Sequence, residues 1–178
     1  ERCFDEVTLT NPSLVEEIHR AYVAAGAELI ETNTFGANRV KLAEHGLEEK
    51  VREINIQAAR VARAAREVAG VDVFVAGSVG PLGKPLEPIG QLTFAEASAA
   101  FEEQVGALLE GGVDLIVLET FSDLEELALA VRAARAVCGL PVVAQATFGE
   151  DGQTASGATP EAVVRLLRDL GADVVGAN

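Results

Sequence analysis

The chain has 178 residues, 49% of them hydrophobic and 24% charged, which indicates a folded globular protein with one substantial core. Its formal net charge of −14 argues against binding to nucleic acid or to an anionic lipid surface. No apolar run approaches the ~18 residues of a membrane span, and the polar first residues predict no secretory signal. The chain contains no methionine, so we expect an internal fragment or a processed product.

Short apolar strands alternate with amphipathic helical segments along the whole chain. Strands are predicted at residues 28–33, 71–79, 114–120, 141–148 and 173–178. A short helix near 38–44 precedes a long one with an apolar face from Leu47 to Val68. Further helix starts are predicted at capping residues and proline pairs: Asn11-Pro12, Thr93 with Glu96, Ser122 with Glu125, and Thr159-Pro160.

Strict alternation of strand and helix predicts a parallel sheet with right-handed crossovers, either doubly wound or closed into a barrel. The four units between Gly26 and Gly171 average about 36 residues, and eight such units give on the order of 250–290 residues, a typical (β/α)₈ barrel. The first helix has no strand before it, and the last strand has no helix after it. We therefore predict one α/β domain over residues 1–178, an incomplete barrel missing its first strand and its last two to three units.

A sequence motif that ends a helix and begins a strand occurs three times, at residues 26–30 (GAELI), 112–116 (GVDLI) and 171–175 (GADVV). The seventh residue after each glycine is polar, and these residues are Asn33, Glu119 and Asn178. All three fall at the carboxyl end of a predicted strand, which is where barrel enzymes carry their chemistry. We predict that the three side chains lie at one end of the sheet.

Glu119 is the strongest candidate for a functional residue, because a carboxylate at the end of a buried strand needs a cationic or hydrogen-bonding partner. It is interpreted either as a contact for a substrate ammonium group or as an internal hydrogen-bonding residue. Asn33, Thr34 and Phe35 end another strand, and Thr-Phe pairs recur at 120–121 and 147–148. These pairs are interpreted either as a rim around a small ligand or as helix caps with a phenylalanine plug.

Other polar residues show no catalytic set. Residues 77–81 (GSVGP) could bring backbone close to a ligand or form a simple turn. Cys3 and Cys138 are far apart and in no metal-ligand spacing, and such sparse use suits a reducing cytoplasm, so we expect a cytoplasmic protein. His19 and His45 are predicted to be surface residues, and Arg60, Arg63 and Arg66 a solvated helix face.

Four segments at predicted strand ends carry a resemblance to a known family: 31–39 (ETNTFGANR), 75–81 (VAGSVGP), 118–121 (LETF) and 176–178 (GAN). Together they resemble the homocysteine S-methyltransferase domain, over essentially the whole chain. Within that family the chain looks closest to bacterial enzymes that join this barrel to a methylenetetrahydrofolate reductase. The homocysteine domain of cobalamin-dependent methionine synthase comes next.

The resemblance implies that zinc, held by three cysteines, binds homocysteine as a thiolate, which takes a methyl group to give methionine. It implies that Glu119 contacts the substrate amino group, that Phe35 lines the pocket, and that Asn33, Thr34 and Asn178 belong to the substrate site. The first zinc cysteine of the family directly follows the position of Asn178, so the metal ligands are expected beyond it and none within the chain. We therefore expect this stretch to be inactive by itself.

The implied partners are homocysteine and a methyl donor linked to folate or cobalamin, and the resemblance extends to relatives that carry a C-terminal reductase or folate domain. The alternatives are another barrel enzyme, such as a pterin-binding or aldolase-type barrel, and a non-catalytic barrel relative that only binds a ligand or partner.

Overall fold

The computed structural model describes residues 3–178, which form a five-stranded parallel sheet in the sequential order β1-β2-β3-β4-β5. The strands are β1 (Leu29–Glu31), β2 (Phe74–Val79), β3 (Leu115–Phe121), β4 (Val142–Ala146) and β5 (Val174–Ala177). A doubly wound sheet reverses its strand order at a switch point, whereas a barrel adds each strand beside the last. The sequential order therefore confirms the barrel prediction, with five of its strands present.

Within the described residues, seven α-helices accompany the strands: α1 (Val7–Thr10), α2 (Pro12–Ala24), α3 (Arg39–Leu42), α4 (Val51–Ala69), α5 (Phe94–Gly111), α6 (Leu124–Val137) and α7 (Pro160–Asp169). The predicted caps at Asn11, Thr93 and Thr159 are confirmed. The predicted capping box at Ser122 is wrong, because the side chain of Asp123 caps α6 by accepting from the amides of Glu125 and Glu126. Ser122 and Asp123 are both residue types that can cap a helix, and here the carboxylate of Asp123 does so.

The helices cover one face of the sheet, and the other face borders the open lumen of the barrel. Strand side chains alternate between these faces, so Ile30 is buried under the helices while its neighbour Leu29 is 40% exposed. At the other edge, Val174 is 52% exposed, whereas Val175 packs on the main core. Leu29 and Val174 thus mark the lumen side that further barrel strands would cover.

The amino-terminal end of the sheet carries a repeated electrostatic link. Asp114 accepts hydrogen bonds from Arg66 of α4 and from the amide of Val75, both at 2.7 Å. Asp173, one repeat later, accepts from Arg135 of α6 and from the amide of Val142. The prediction of a solvated arginine face is therefore wrong for Arg66, which ties α4 to Asp114, directly before β3.

Three further residues complete the description of the fold. Cys138 is buried at the end of α6. His19 was predicted to be at the surface, but it is only 7% exposed, because α2 packs this side chain toward the interior. His45 is exposed. None of the helices described in residues 3–178 is long and apolar enough to cross a membrane.

Candidate active site at the carboxyl ends of the strands

A cavity of about 790 Å³ opens beside the carboxyl end of β1. Its polar lining comes mainly from strand ends, and its apolar lining comes from α2, from β1 and from the segments that carry Phe4 and Phe35. The polar residues include Glu31, Asn33, Thr34, Ser78 and Glu119. The apolar ones include Phe4, Leu14, Ile18, Tyr22 and Phe35. Such a cavity, mostly apolar with a few convergent polar groups, suits a small ligand that has a charged end and an aliphatic end.

Glu119 lies near the end of β3, faces the lumen and is half-buried. Its Oε1 accepts a hydrogen bond from Ser78 Oγ at 2.6 Å. Ser78 lies on the adjacent strand β2, and its own amide donates to Thr32 Oγ1 at 3.1 Å. The carboxylate is therefore held in one orientation by a hydroxyl group that is itself fixed, which leaves its second oxygen for another partner.

Glu31, which we did not select from the sequence, is the second carboxyl group of the cavity. It is the last residue of β1 and lines the cavity together with Glu119. Burial of the group, together with the nearby Glu119 carboxylate, raises the pKa of Glu31 to about 7. Two carboxyl groups that share a site cannot both ionise cheaply without a cation, so this pair is suited to bind one.

Asn33 lines the cavity, but its side-chain amide is used within the protein. Its Nδ2 donates to the carbonyl oxygen of Phe4 at 2.8 Å and to Thr8 Oγ1 at 3.2 Å. These contacts hold the amino-terminal segment against the mouth of the barrel. A role of Asn33 in substrate binding stays a prediction, and its Oδ1 is the atom that could serve it.

Thr34 is fully buried and hydrogen-bonded on every side. Its Oγ1 donates to the carbonyl oxygen of Ser78 at 2.7 Å and lies 2.6 Å from Thr32 Oγ1, while its carbonyl oxygen accepts from Gln104 at 2.7 Å. These bonds join β1 to β2 and to α5. Thr34 thus supports the cavity wall and shapes the turn that carries Phe35.

Phe35 presents its ring at the mouth of the cavity and is 38% exposed. One side of the ring lies against Gly80, where a Cβ atom would come within 2.5 Å of it. Lys41 Nζ lies 4.6 Å from the ring centroid. The backbone of segment 77–81 therefore lies close to the ring of Phe35. This close approach is possible because position 80 is a glycine.

Asn178 follows β5 at the same end of the sheet, outside the lining of this cavity. Its side chain contacts Thr120, the residue after Glu119, and also Thr147. Asn33, Glu119 and Asn178 thus all lie at the carboxyl ends of the strands, with Asn33 and Glu119 in one cavity and Asn178 beside it. Neither Thr120 nor Thr147 caps a helix, contrary to one interpretation of the Thr-Phe pairs, and Phe121 packs against Phe101 of α5.

No group of three or more His, Cys, Asp or Glu side chains in residues 3–178 is arranged to hold a metal ion. Cys3 is half-buried near the amino terminus, with its Sγ 3.8 Å from Asp5 Oδ2, and Cys138 is buried behind α6. The residues of this part of the chain do not fit a zinc site by themselves.

The comparison with known proteins agrees with the fold and with the strand-end phrases. The family model of homocysteine S-methyltransferase matches residues 2–178. The chain belongs to this family.

Two relatives specify the comparison further. Methionine synthase of Mycobacterium tuberculosis is 33% identical over 186 residues, which cover all of this chain and 16% of that protein. The metallated homocysteine methyltransferase MmuM from Escherichia coli superimposes with a TM-score of 0.85 at 27% identity, over 97% of this chain and 65% of that one. The chain therefore spans only part of the relatives that it matches.

A third structure shows how far the barrel fold extends beyond the family. The carboxyl transferase domain of Rhizobium etli pyruvate carboxylase has a TM-score of 0.56 at 15% identity, over 93% of this chain and 24% of that one. This likeness concerns the fold alone.

Proposed function

We propose that this chain is part of a zinc-dependent enzyme that transfers a methyl group to the thiol of homocysteine and forms methionine. The substrate-binding part would be the cavity at the carboxyl end of β1. The observation that supports this assignment most directly is the carboxyl pair of Glu31 and Glu119, which lines one cavity and in which the pKa of Glu31 is raised to about 7. The α-ammonium group of an amino acid is a cation of the right size and charge for it.

The Glu119 carboxylate would accept a charge-assisted hydrogen bond from the substrate ammonium group, while Ser78 holds its other oxygen. The approaching positive charge would favour ionisation of Glu31, so the proton of Glu31 would leave as the ammonium group arrives. Asn33 and Thr34 would keep the strand ends in place, and the apolar lining would exclude water from the aliphatic part of the substrate.

Phe35 would close the outer side of the cavity. Its ring is already held between Gly80 and Lys41, so little side-chain entropy would be lost when a ligand packs against it.

The zinc of this proposal would have to be held by side chains outside residues 3–178, as the family resemblance implies with its three cysteines. We assign no metal-binding role to Cys3, Cys138 or either histidine. A methyl donor linked to folate or cobalamin would be presented by other domains, in keeping with the small share of methionine synthase that this chain matches.

The test is a methyl-transfer assay on the full-length enzyme, with homocysteine and either a methylated corrinoid or methyltetrahydrofolate as donor. Methionine formation that depends on zinc supports the proposal. A pterin-binding or aldolase-type activity with no methionine formed from either donor would overturn it, as would tight homocysteine binding without any turnover.

A further inference from the structure

Thr120 has a backbone conformation that its side chain disfavours. Its φ is 63°, and it is the only non-glycine residue with positive φ among residues 3–178. A β-branched residue in this left-handed region is a genuine outlier, and such conformations persist only where neighbouring contacts enforce them. The position is next to Glu119, so its cause bears on the candidate active site.

The strained residue is the extra residue of a β-bulge. Leu118 pairs with Ala144 and Phe121 pairs with Ala146, so three steps along β3 match two steps along β4. Without the bulge, strict alternation would send Phe121 to the lumen together with Glu119. With it, Glu119 lines the cavity, and Phe121 is buried at 1% exposure against Phe101.

The side chain of Asn178, which follows β5, contacts this bulge in β3. Its Oδ1 accepts from the Thr120 amide at 3.2 Å, and its Nδ2 donates to Thr120 Oγ1 at 2.7 Å. Oδ1 also accepts from Thr147 Oγ1 at 3.2 Å, which anchors the amide to the end of β4. The bidentate contact satisfies the Thr120 amide, which the bulge removes from the regular ladder of the sheet.

We propose that Asn178 is a positioning residue, which locks Thr120 in its left-handed conformation and thereby aims the Glu119 carboxylate into the cavity. It would act through Thr120 rather than by touching the substrate. This role rests on the proposed function, since it concerns the carboxylate assigned to the homocysteine ammonium group. It links the end of β5 to the amino-acid subsite two strands away.

The test is a double-mutant cycle in the full-length enzyme with Asn178→Ala, Thr120→Gly and the combined variant. Glycine adopts positive φ at no cost, so in the Thr120→Gly background the bulge no longer needs the asparagine. We expect Asn178→Ala to raise the homocysteine KM about fivefold or more in the wild-type background, and less than about twofold in the Thr120→Gly background. Thr147→Val, which removes one anchor of the amide, should have a smaller effect than Asn178→Ala.

An equal rise in KM in both backgrounds would overturn the proposal, because it would mean that Asn178 acts independently of Thr120. So would a fall in kcat alone with KM unchanged. A crystal structure of the Asn178→Ala variant provides a readout that does not depend on activity. Thr120 should leave the left-handed region and Glu119 should lose its contact with Ser78, whereas both should be retained in the combined variant.

This structural readout separates the two failures. If the wild-type enzyme does not methylate homocysteine, the proposed function fails, and the crystal structures still decide whether Asn178 controls Thr120. If the enzyme is active but Thr120 keeps its conformation in Asn178→Ala, the positioning role fails and the proposed function stands.

Discussion

The two ends of the sheet use the same repeated phrase in opposite ways. At the amino end, Asp114 and Asp173 make equivalent contacts, because each joins an arginine of an earlier helix, α4 or α6, to an amide near the start of the neighbouring strand, β2 or β4. At the carboxyl end, the equivalent residues Asn33, Glu119 and Asn178 have three different sets of contacts. The contacts at the amino end are therefore the same in both repeats, whereas the contacts at the carboxyl end differ among the three.

This difference separates stability from function within one repeat. The contacts at the amino end are between protein groups that satisfy each other, as expected of a structural network. At the carboxyl end, a raised carboxyl pKa, a left-handed threonine and an open cavity are collected within a few residues. Unfavourable features of this kind concentrate at functional sites. Mutations at the two ends should therefore have separable effects.

The largest expected effect is that of Glu119→Gln on substrate binding. The change keeps the shape but removes the charge that would pair with the substrate ammonium group, at a cost of about 1.5–3 kcal/mol. The homocysteine KM of the full-length enzyme should rise tenfold or more, measured by steady-state methyl transfer. Glu17→Gln on the exposed surface of α2 is the matched control and should leave KM unchanged. A KM of wild-type size in Glu119→Gln would remove this residue from the site.

The contrasting change at the amino end is Arg135→Met. Arg135 donates to the carbonyl oxygens of Gly171 and Leu140, and it pairs with Asp173. Its side chain is 26% exposed, so we discount the charge contribution for solvent screening and expect a loss of about 1–2 kcal/mol in the free energy of unfolding.

Chemical denaturation measures this loss, and Arg168→Met, with a side chain 72% exposed, should cost less than about 0.5 kcal/mol. The homocysteine KM should not change in either variant. A large change in KM with Arg135→Met would show that the two ends of the sheet are coupled.

The amino-acid sequence predicted the alternation of strands and helices, the parallel sheet and the strand ends that carry polar residues. These features follow from apolar periodicity and helix stops, which are local. The three glycines that begin the repeats all have positive φ, at 99°, 89° and 88°, as their place after a helix requires. Glu119 could be selected because a carboxylate directly after four apolar residues is conspicuous.

Other features depend on contacts between distant segments and could not be predicted in this way. Counting seven residues from each glycine selected Asn33 and passed over Glu31, although both line the same cavity and lie only two residues apart. The bulge at Thr120 leaves no mark in residues 118–121, and Asn178, whose side chain contacts Thr120, lies 58 positions later. The burial of His19 is likewise set by packing of α2 against its neighbours.

The pH dependence of stability offers a sharper test of the carboxyl end. An acid whose pKa rises on folding stabilises the folded state at low pH, and this contribution is lost as the pH rises through the folded-state value. For Glu31 the loss should occur between about pH 4.5 and about pH 7. Glutamine cannot ionise, so Glu31→Gln should escape this loss.

In the absence of substrate, the Tm of Glu31→Gln should therefore equal that of the wild type near pH 4.5 and exceed it by a few degrees near pH 8. His19 and Tyr22 are the other titratable groups beside Glu31 and Glu119 in the cavity, and they are present in both proteins. Glu17→Gln should follow the wild type at every pH. A Tm difference that does not change with pH would show that Glu31 titrates normally.

The smallest effect is expected for Lys41→Met, which tests how firmly the wall of the cavity is held. Lys41 places its ammonium group 4.6 Å from the centroid of the Phe35 ring, and burial lowers the pKa of this lysine, with Asp5 and Glu126 acting in the opposite direction. Methionine keeps most of the aliphatic stem that packs near Gly36 and Gly83 but removes the charge. A cation–π contact at a partly exposed position contributes about 0.5–1 kcal/mol, so we expect the homocysteine KM to rise roughly two- to fivefold with little change in Tm.

Lys41→Arg retains a cation that can stack on the ring and should restore most of the affinity. If Lys41→Met and Lys41→Arg raise KM equally, the packing of the lysine stem rather than its charge positions Phe35, and the ring is held chiefly by its contact with Gly80.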